Sequence, residues 1–507
     1  MVVASGLPDR REVAYNGPPE DETMGHVVNG GRQYRLLQQQ LDRTVTGAPD
    51  SPALRRILQL LFSPEDAELA QRLPNRLTSL EALARKLGMS DDGLAEKMDA
   101  MARRGLVLDL EHDGQRYVAL APVVIGFFEF TFMRTRDDLP MAELARLFDE
   151  YMHGDDRFAR SVFRGQTQLG RSLVREEALP SQRHGECPSQ PSGGHAQALP
   201  EKGVRTVLDQ GPEGCSAEDS SDPFFDGRAG GDHTEILDWE RASHIVRSAS
   251  AIGVSLCPCR HKASHLGEVC QRPQRCCLSL NYAAESIIRS GMAQRITAGE
   301  AMGILEECKQ AGLAQTADNV QRKVAYICNC CGCCCEMLRA VRVLNIRHAI
   351  VTSNWIMEVD PALCQGCGRC AAACPVDAIE IVQPDDGQTG RKWAVRDETV
   401  CLGCGVCYAA CKSGAIAMKP RAQRVLTPET VFDRIATMAV ERGKLADLIF
   451  ERPGRLSHRA LARILGVVER SPLFKAAMAI RPLRSAFLRR LVAAARKKTG
   501  RLSEVFE

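Results

Sequence analysis

Two short runs of cysteine constrain this chain more than any other feature. Cys364-Gln-Gly-Cys367-Gly-Arg-Cys370-Ala-Ala-Ala-Cys374-Pro375 is followed by Cys401-Leu-Gly-Cys404-Gly-Val-Cys407-Tyr-Ala-Ala-Cys411. Two-residue gaps let a tight glycine-bearing loop aim three thiolates at one inorganic core, and a fourth must arrive from elsewhere. In two-cluster ferredoxins the last cysteine of each run ligates the opposite cluster. Cys364, Cys367, Cys370 and Cys411 are therefore expected to hold one [4Fe-4S] cluster, and Cys401, Cys404, Cys407 and Cys374 the other. Zinc also binds Cys-x-x-Cys pairs, but it does not explain three evenly spaced cysteines plus a fourth, used twice. Lys412 stands where the second run would have proline, at no cost in ligands, and residues 376–381 and 413–418 read as short covering strands.

The chain holds 22 cysteines, crowded into short-spaced clusters. No basic stretch and apolar run of a secretory signal opens the sequence, and no window reaches the roughly 18 apolar residues of a membrane span. Metal thiolates in a reducing, cytoplasmic setting are expected rather than disulfides. A second set reads Cys257-Pro-Cys259-Arg260-His261-Lys262, then Cys270, Cys276-Cys277, and later Cys328-Asn-Cys330-Cys331-Gly-Cys333-Cys334-Cys335. Packing does not explain six cysteines in the eight residues 328–335. Such density implies a soft metal, with an additional iron–sulfur cluster favoured over structural zinc and a thiol–disulfide couple as a third choice; Arg260 and Lys262 would offset thiolate charge.

At 507 residues the chain is too long for one core, and the expectation is a multidomain α+β protein. Residues 1–35 read as a flexible N-terminus. Residues 36–155 read as a winged-helix-like domain: Ser63-Pro64-Glu65 starts one helix, Ser90 caps another from Asp91 to Arg104, and Asp113-Gly114 joins two strands. The run 123–133 reads as a packed core helix and Met141 to Tyr151 as a further one. Residues 182–232, rich in Gly, Pro and Ser, read as linker or insertion, where nothing preorganises Cys187 or Cys215 as a ligand. A cysteine-rich α/β middle domain follows at 236–350, with a helix through Ser250, a strand at 252–256, and a helix capped by Thr297 and Glu300 in which Cys308 is a buried small hydrophobe. The two-[4Fe-4S] ferredoxin-like domain occupies 355–420. A basic helical tail, 426–507, carries nine basic and no acidic residues between Lys475 and Arg501; it reads as a solvated face, or as a peripheral contact with a membrane or an acidic partner.

CysProCysArgHisLys at 257–262, CysLeuSerLeu at 277–280, the cysteine run at 327–335 and ThrSerAsn at 352–354, ahead of a dicluster module, resemble a family of multidomain 4Fe-4S ferredoxin-type proteins with a winged-helix-like front. The resemblance covers most of residues 35–440; the 182–232 insertion and the basic tail depart from it. It implies Cys257, Cys259, Cys270, Cys277, Cys328, Cys330, Cys331, Cys334 and Cys335 as ligands of an additional site.

The paired runs point to an electron-transfer protein relaying single electrons between redox protein partners. Two alternatives remain open. One is an oxidoreductase with a catalytic third cluster or dithiol in the middle domain. The other is a redox-responsive DNA-binding regulator, and here Asp91, Asp92, Glu96 and Asp99 on the recognition helix outnumber Lys97, Arg103 and Arg104, which argues against nucleic acid. A net charge of +3 on 66 basic and 63 acidic residues favours no partner class, and the oligomeric state stays open.

Overall fold

Serine caps and left-handed glycines set the first boundaries in the chain. The computed structural model describes residues 31–179, 237–383 and 391–449, with a few single positions beyond them. Cys187, Cys215 and nearly all of 450–507 lie outside the described residues. A helix runs from Arg32 to Asp42, its first four residues inside the stretch 1–35 expected to be flexible. Ser51 and Ser63 cap the proline-led helices Pro52–Leu61 and Pro64–Ala70. Ser79 and Ser90 cap Leu80–Leu87 and Asp91–Arg104, which end on Gly88 and Gly105 in the left-handed region. Strands Val107–His112 and Gln115–Leu120 form a hairpin whose turn residues Asp113 and Gly114 both have positive φ, 50° and 70°. Thr78–Ser79 pairs with the second of them.

The run 123–133 is not one helix. Val124 is extended, Ile125 has φ 51°, and regular helix spans only Phe128–Phe132. The Glu129 carboxylate accepts the Gly126 N–H at 3.0 Å, meeting a donor that the break exposes. Phe62, Phe127, Phe128, Phe132 and Phe148 close the core here, with ring centroids 5.2–6.3 Å apart.

A six-stranded antiparallel sheet organises the middle of the chain, in the order Gly170–Ser172, Ala314–Asp318, Tyr326–Cys330, Arg275–Leu280, Ile252–Leu256, Gln294–Arg295. Its first strand precedes residues 182–232, so this sheet begins well before position 236. The expected helix through Ser250 is shorter, Ala242–Arg247. The capping box of Thr297 and Glu300 is present on Ala298–Gln310.

The dicluster segment is two hairpin-like ladders, Trp355–Val359 with Ile416–Pro420 and Ile379–Val382 with Trp393–Arg396, around helices Arg369–Ala373 and Val406–Ala410. Its buried residues run into the same core as the N-terminal helices. Beyond it, the stretch expected to begin a tail folds back as the helix Val431–Arg442, capped by Thr430 and Asp433. Arg434 forms a buried ion pair with Asp318 and donates to the Leu169 carbonyl at 2.9 Å, while Arg442 donates to the Val45 carbonyl at 2.7 Å. Among the described residues no helix is long and apolar enough to cross a membrane.

Removing one partner of a buried ion pair strands the other charge. Arg434→Met is therefore expected to destabilise the fold by about 3–5 kcal/mol, and Arg434→Met with Asp318→Leu to recover much of that loss; chemical denaturation followed by circular dichroism measures both.

Candidate metal centres

The eight dicluster cysteines sit on two loops that are pinned by their glycines. Gly403 has φ 71°, and a Cβ there would lie 2.0 Å from the Trp355 carbonyl oxygen. Ser353 donates from Oγ to the Gly403 carbonyl at 2.8 Å and from its N–H to Leu402 at 3.0 Å, so the ThrSerAsn segment is the seat of this loop. Burial pushes the Cys370 thiol up, and neighbouring Cys364 and Cys411 add to the push. Burial likewise raises Cys374, with Cys401 adding, and pushes Cys404 up to about 12, with Cys374 and Cys401 adding. Cys407 is raised well above the ordinary thiol range by burial, then by Cys404, Cys401 and Cys374. Thiols held this way ionise readily only against a cation. Backbone N–H groups already point at sulfur, Ala378 to Cys374 at 3.2 Å and Ala394 to Cys364 at 3.4 Å, so the donor set suits metal-bound thiolate. Cys367 is exposed.

In the middle domain three neighbouring strands deliver cysteines to one end of the sheet. Ile252–Leu256 runs into Cys257, Arg275–Leu280 opens with Cys276 and Cys277, and Tyr326–Cys330 closes with Cys328 and Cys330. The twelve cysteines from 257 to 335 then divide. One group is a string of interacting thiols: Cys308, Cys276, Cys257, Cys259, Cys335, Cys330, Cys328 and Cys277. Cys335 and Cys330 are 3.4 Å apart. Along it the protons are shared unequally: hydrogen bonds from Cys259 and Cys276 pull Cys257 well down, and bonds from Cys328 and Cys335 do the same to Cys330.

The other group is Cys270, Cys331, Cys333 and Cys334, whose sulfurs all lie within 4.8 Å of one another. Adjacent cysteines therefore part company: Cys330 joins the string and Cys331 the compact group, and Cys335 and Cys334 divide in the same way. Of the nine residues that the family resemblance implies for a single site, Cys270, Cys331 and Cys334 stand in one group and Cys257, Cys259, Cys277, Cys328, Cys330 and Cys335 in the other. Cys276, Cys308 and Cys333 fall outside those nine. The Cys-x-Cys-Cys spacing of residues 331–334 carries the signal for Cys333; Cys308 is fully buried on its helix, as expected of a small hydrophobe, beside Cys276.

Arg260 is fully buried between the groups. It donates to the Asn329 carbonyl at 3.0 and 2.7 Å, to Pro273 at 3.1 Å and to the Cys276 sulfur at 3.4 Å. Burial opposes its charge, yet the sulfurs of Cys257, Cys276, Cys331 and Cys330 around it hold it firmly protonated. Lys262, expected to offset thiolate charge as well, faces carboxylates instead, its ammonium lying 2.7 Å from both Asp149 and Glu336. Those two carboxylates and His153 are close enough to hold an ion, but Lys262 and Arg339 already supply the positive charge.

A cavity of about 700 Å³ opens beside the thiol string, lined in part by Cys257, Cys259, Cys328, Cys330, Tyr326 and Glu129. Burial pushes the Glu129 carboxyl up to about 7 against the backbone N–H groups that lower it.

Residues 363–415 match the family model of the 4Fe-4S dicluster domain. This supports iron–sulfur binding by an iron-sulfur ferredoxin-type segment. No curated protein and no solved structure matches the chain.

Because folded Glu129 keeps its proton up to about pH 7 while the unfolded chain loses it near 4.5, stability falls as pH rises through that window. The loss is on the order of 3 kcal/mol. Glu129→Gln is expected to flatten this slope and to be the more stable form above pH 7; thermal midpoints from pH 5 to 8 that run parallel for the two proteins would contradict it.

Proposed function

We propose that this chain is an iron–sulfur electron carrier that takes single electrons at an exposed edge of the dicluster segment and passes them inward to the cysteine-rich sheet. In this reading Cys364, Cys367, Cys370 and Cys411 hold one [4Fe-4S] cluster, and Cys401, Cys404, Cys407 and Cys374 the other. Each cluster, when bound, supplies a one-electron site whose potential depends on charge, hydrogen bonding and exposure. The observation that carries the point of entry is exposure: Cys367 is exposed and Leu363, beside Cys364, is 52% exposed, while Cys364, Cys370, Cys401, Cys404 and Cys407 are buried. Leu363 and Val395 would offer a redox protein partner an apolar landing place next to the outer thiols.

The inner set touches the middle domain at two points. Gly332 presses on the Pro375 carbonyl so closely that a Cβ would lie 2.4 Å from its oxygen, which sets the loop 331–335 against Cys374. Arg175 donates its N–H to the Cys404 carbonyl at 3.1 Å and its guanidinium to the Lys309 carbonyl at 2.8 Å. These contacts support an inward route and rigid spacing between the two thiol regions.

A second reading, an oxidoreductase working at the buried string, is favoured by the cavity, which is larger than the thiols themselves require and is walled by apolar side chains and Glu129. Regulation through DNA has less support. The hairpin that would serve as a wing is covered by the helix Asn281–Arg289, with Arg289 bound to Glu111 at 2.7 Å and to the Asp109 carbonyl at 3.0 Å.

Anaerobically purified full-length protein is expected to contain at least about eight irons and eight sulfides per chain. Cys404→Ser should remove about four of each and prevent electrons from reaching the middle domain, while Cys330→Ser should spare the dicluster signals in low-temperature EPR. Four irons or fewer in the unsubstituted protein would sink the reading.

A further inference from the structure

The compact thiol group has a spacing that identifies its occupant. Cys270 and Cys331 sulfurs are 3.7 Å apart, Cys334 and Cys270 3.8 Å, and Cys334 and Cys333 3.7 Å. Four thiolates arranged tetrahedrally about one ion at a metal–sulfur distance of about 2.3 Å have sulfur–sulfur edges of about 3.8 Å. A [4Fe-4S] core instead places each thiolate on a separate iron and drives the four apart. Among the described residues, the eight dicluster thiols accordingly form no group this tight, and neither does the buried string.

We propose that Cys270, Cys331, Cys333 and Cys334 bind a single zinc ion in a closed tetrathiolate site, separate from the dicluster and from the buried thiol string. Three ligands come from one turn, residues 331–334, and the fourth from the loop that follows the helix Pro258–His265. The site closes a loop of about sixty residues at the mouth of the sheet, the arrangement in which one ion stabilises most by restraining the unfolded chain. Four thiolates and a divalent ion leave two negative charges. Arg260 faces Cys331 from the buried side, and Arg272 approaches the Cys333 sulfur at 4.0 Å from the solvent side. No open ligand position is needed, which fits a structural ion rather than a catalytic one.

This assignment explains a feature that packing and a single site leave unaccounted for, the paired cysteines Cys330-Cys331 and Cys334-Cys335. Cys330 closes a strand and Cys331 follows it, and neighbouring residues of an extended backbone point to opposite sides; the turn at 332–334 then brings Cys334 back to Cys331, and Cys335, at the start of the helix Glu336–Arg342, returns to Cys330. It also gives the ion a consequence for the dicluster: the turn that it fixes carries Gly332, the residue seated on Pro375. The inference does not rest on the electron-transfer reading, since zinc takes no part in redox steps.

The test uses full-length protein purified without oxygen, with zinc and iron counted together by mass spectrometry. About one zinc per chain is expected, lost in Cys270→Ser with Cys333→Ser while iron is retained, and retained in Cys330→Ser. Loss of iron instead of zinc in the double variant, or wild-type zinc well below one per chain, overturns the proposal. Zinc-edge X-ray absorption on the unsubstituted protein gives an answer that is independent of how the variants fold: four sulfurs at about 2.3 Å support the site, and nitrogen or oxygen ligands overturn it.

Discussion

The middle-domain thiols gather around one buried charge: Arg260, with no exposure to water, lies against the sulfurs of Cys257, Cys276, Cys330 and Cys331. A guanidinium with no exposure to water would cost several kcal/mol if unpaired. Its fork instead divides between backbone carbonyls, which fix its orientation, and the sulfur of Cys276. Arginine suits the position because it stays protonated at any relevant pH and offers several donors in a rigid plane. Lys262, two residues on and equally buried, carries a point charge and joins two carboxylates instead. Two cations close together in sequence thus do different work: one sits with the thiols, the other ties the middle domain to the helix Met141–His153 through Asp149.

What the sequence makes legible is whatever is local. The dicluster runs carry their own loop geometry, and the caps at Ser63, Ser90 and Thr297 and the turn at Asp113-Gly114 stand where residue type alone puts them. The middle domain resists the same treatment because its ligand groups are made across strands. Nothing within residues 257–277 tells that Cys270 meets Cys331 while Cys277 meets Cys328; strand order and register decide it. The nine residues implied by resemblance therefore read as one site where the structure has two groups of thiols. The break at 124–126 is hidden for a related reason. Its aromatic run has the composition of a helix core, and nothing local announces the break, whose exposed Gly126 N–H is met by the Glu129 carboxyl three residues on. The strand Gly170–Ser172 and the helix Val431–Arg442 join the central sheet from either side of long intervening segments, so no window of sequence contains both partners.

Long-range joints also tie the N-terminal unit to the thiols. Its aromatic segment forms part of the cavity wall through Phe128, Glu129, Phe130 and Met133. The Met133 carbonyl accepts the Leu256 N–H at 3.0 Å, and the Phe132 carbonyl meets His261 Nδ1 at 2.8 Å, one residue beyond Arg260. The hairpin is held from the other side by Arg289 and Ser286. Carbonyls and aromatic rings of the unit thus complete the surroundings of the thiol string, while its helix Asp91–Arg104 keeps Asp91, Asp92, Glu96, Lys97 and Arg103 exposed. Burial raises the cost of an unpaired charge, so the partners of Arg260 matter more than they would at the surface. The N-terminal helices, the sheet and the returning C-terminal helix together bury the thiol string, and the dicluster segment is set against the turn 331–334, where Cys333 alone of the described middle-domain cysteines is exposed.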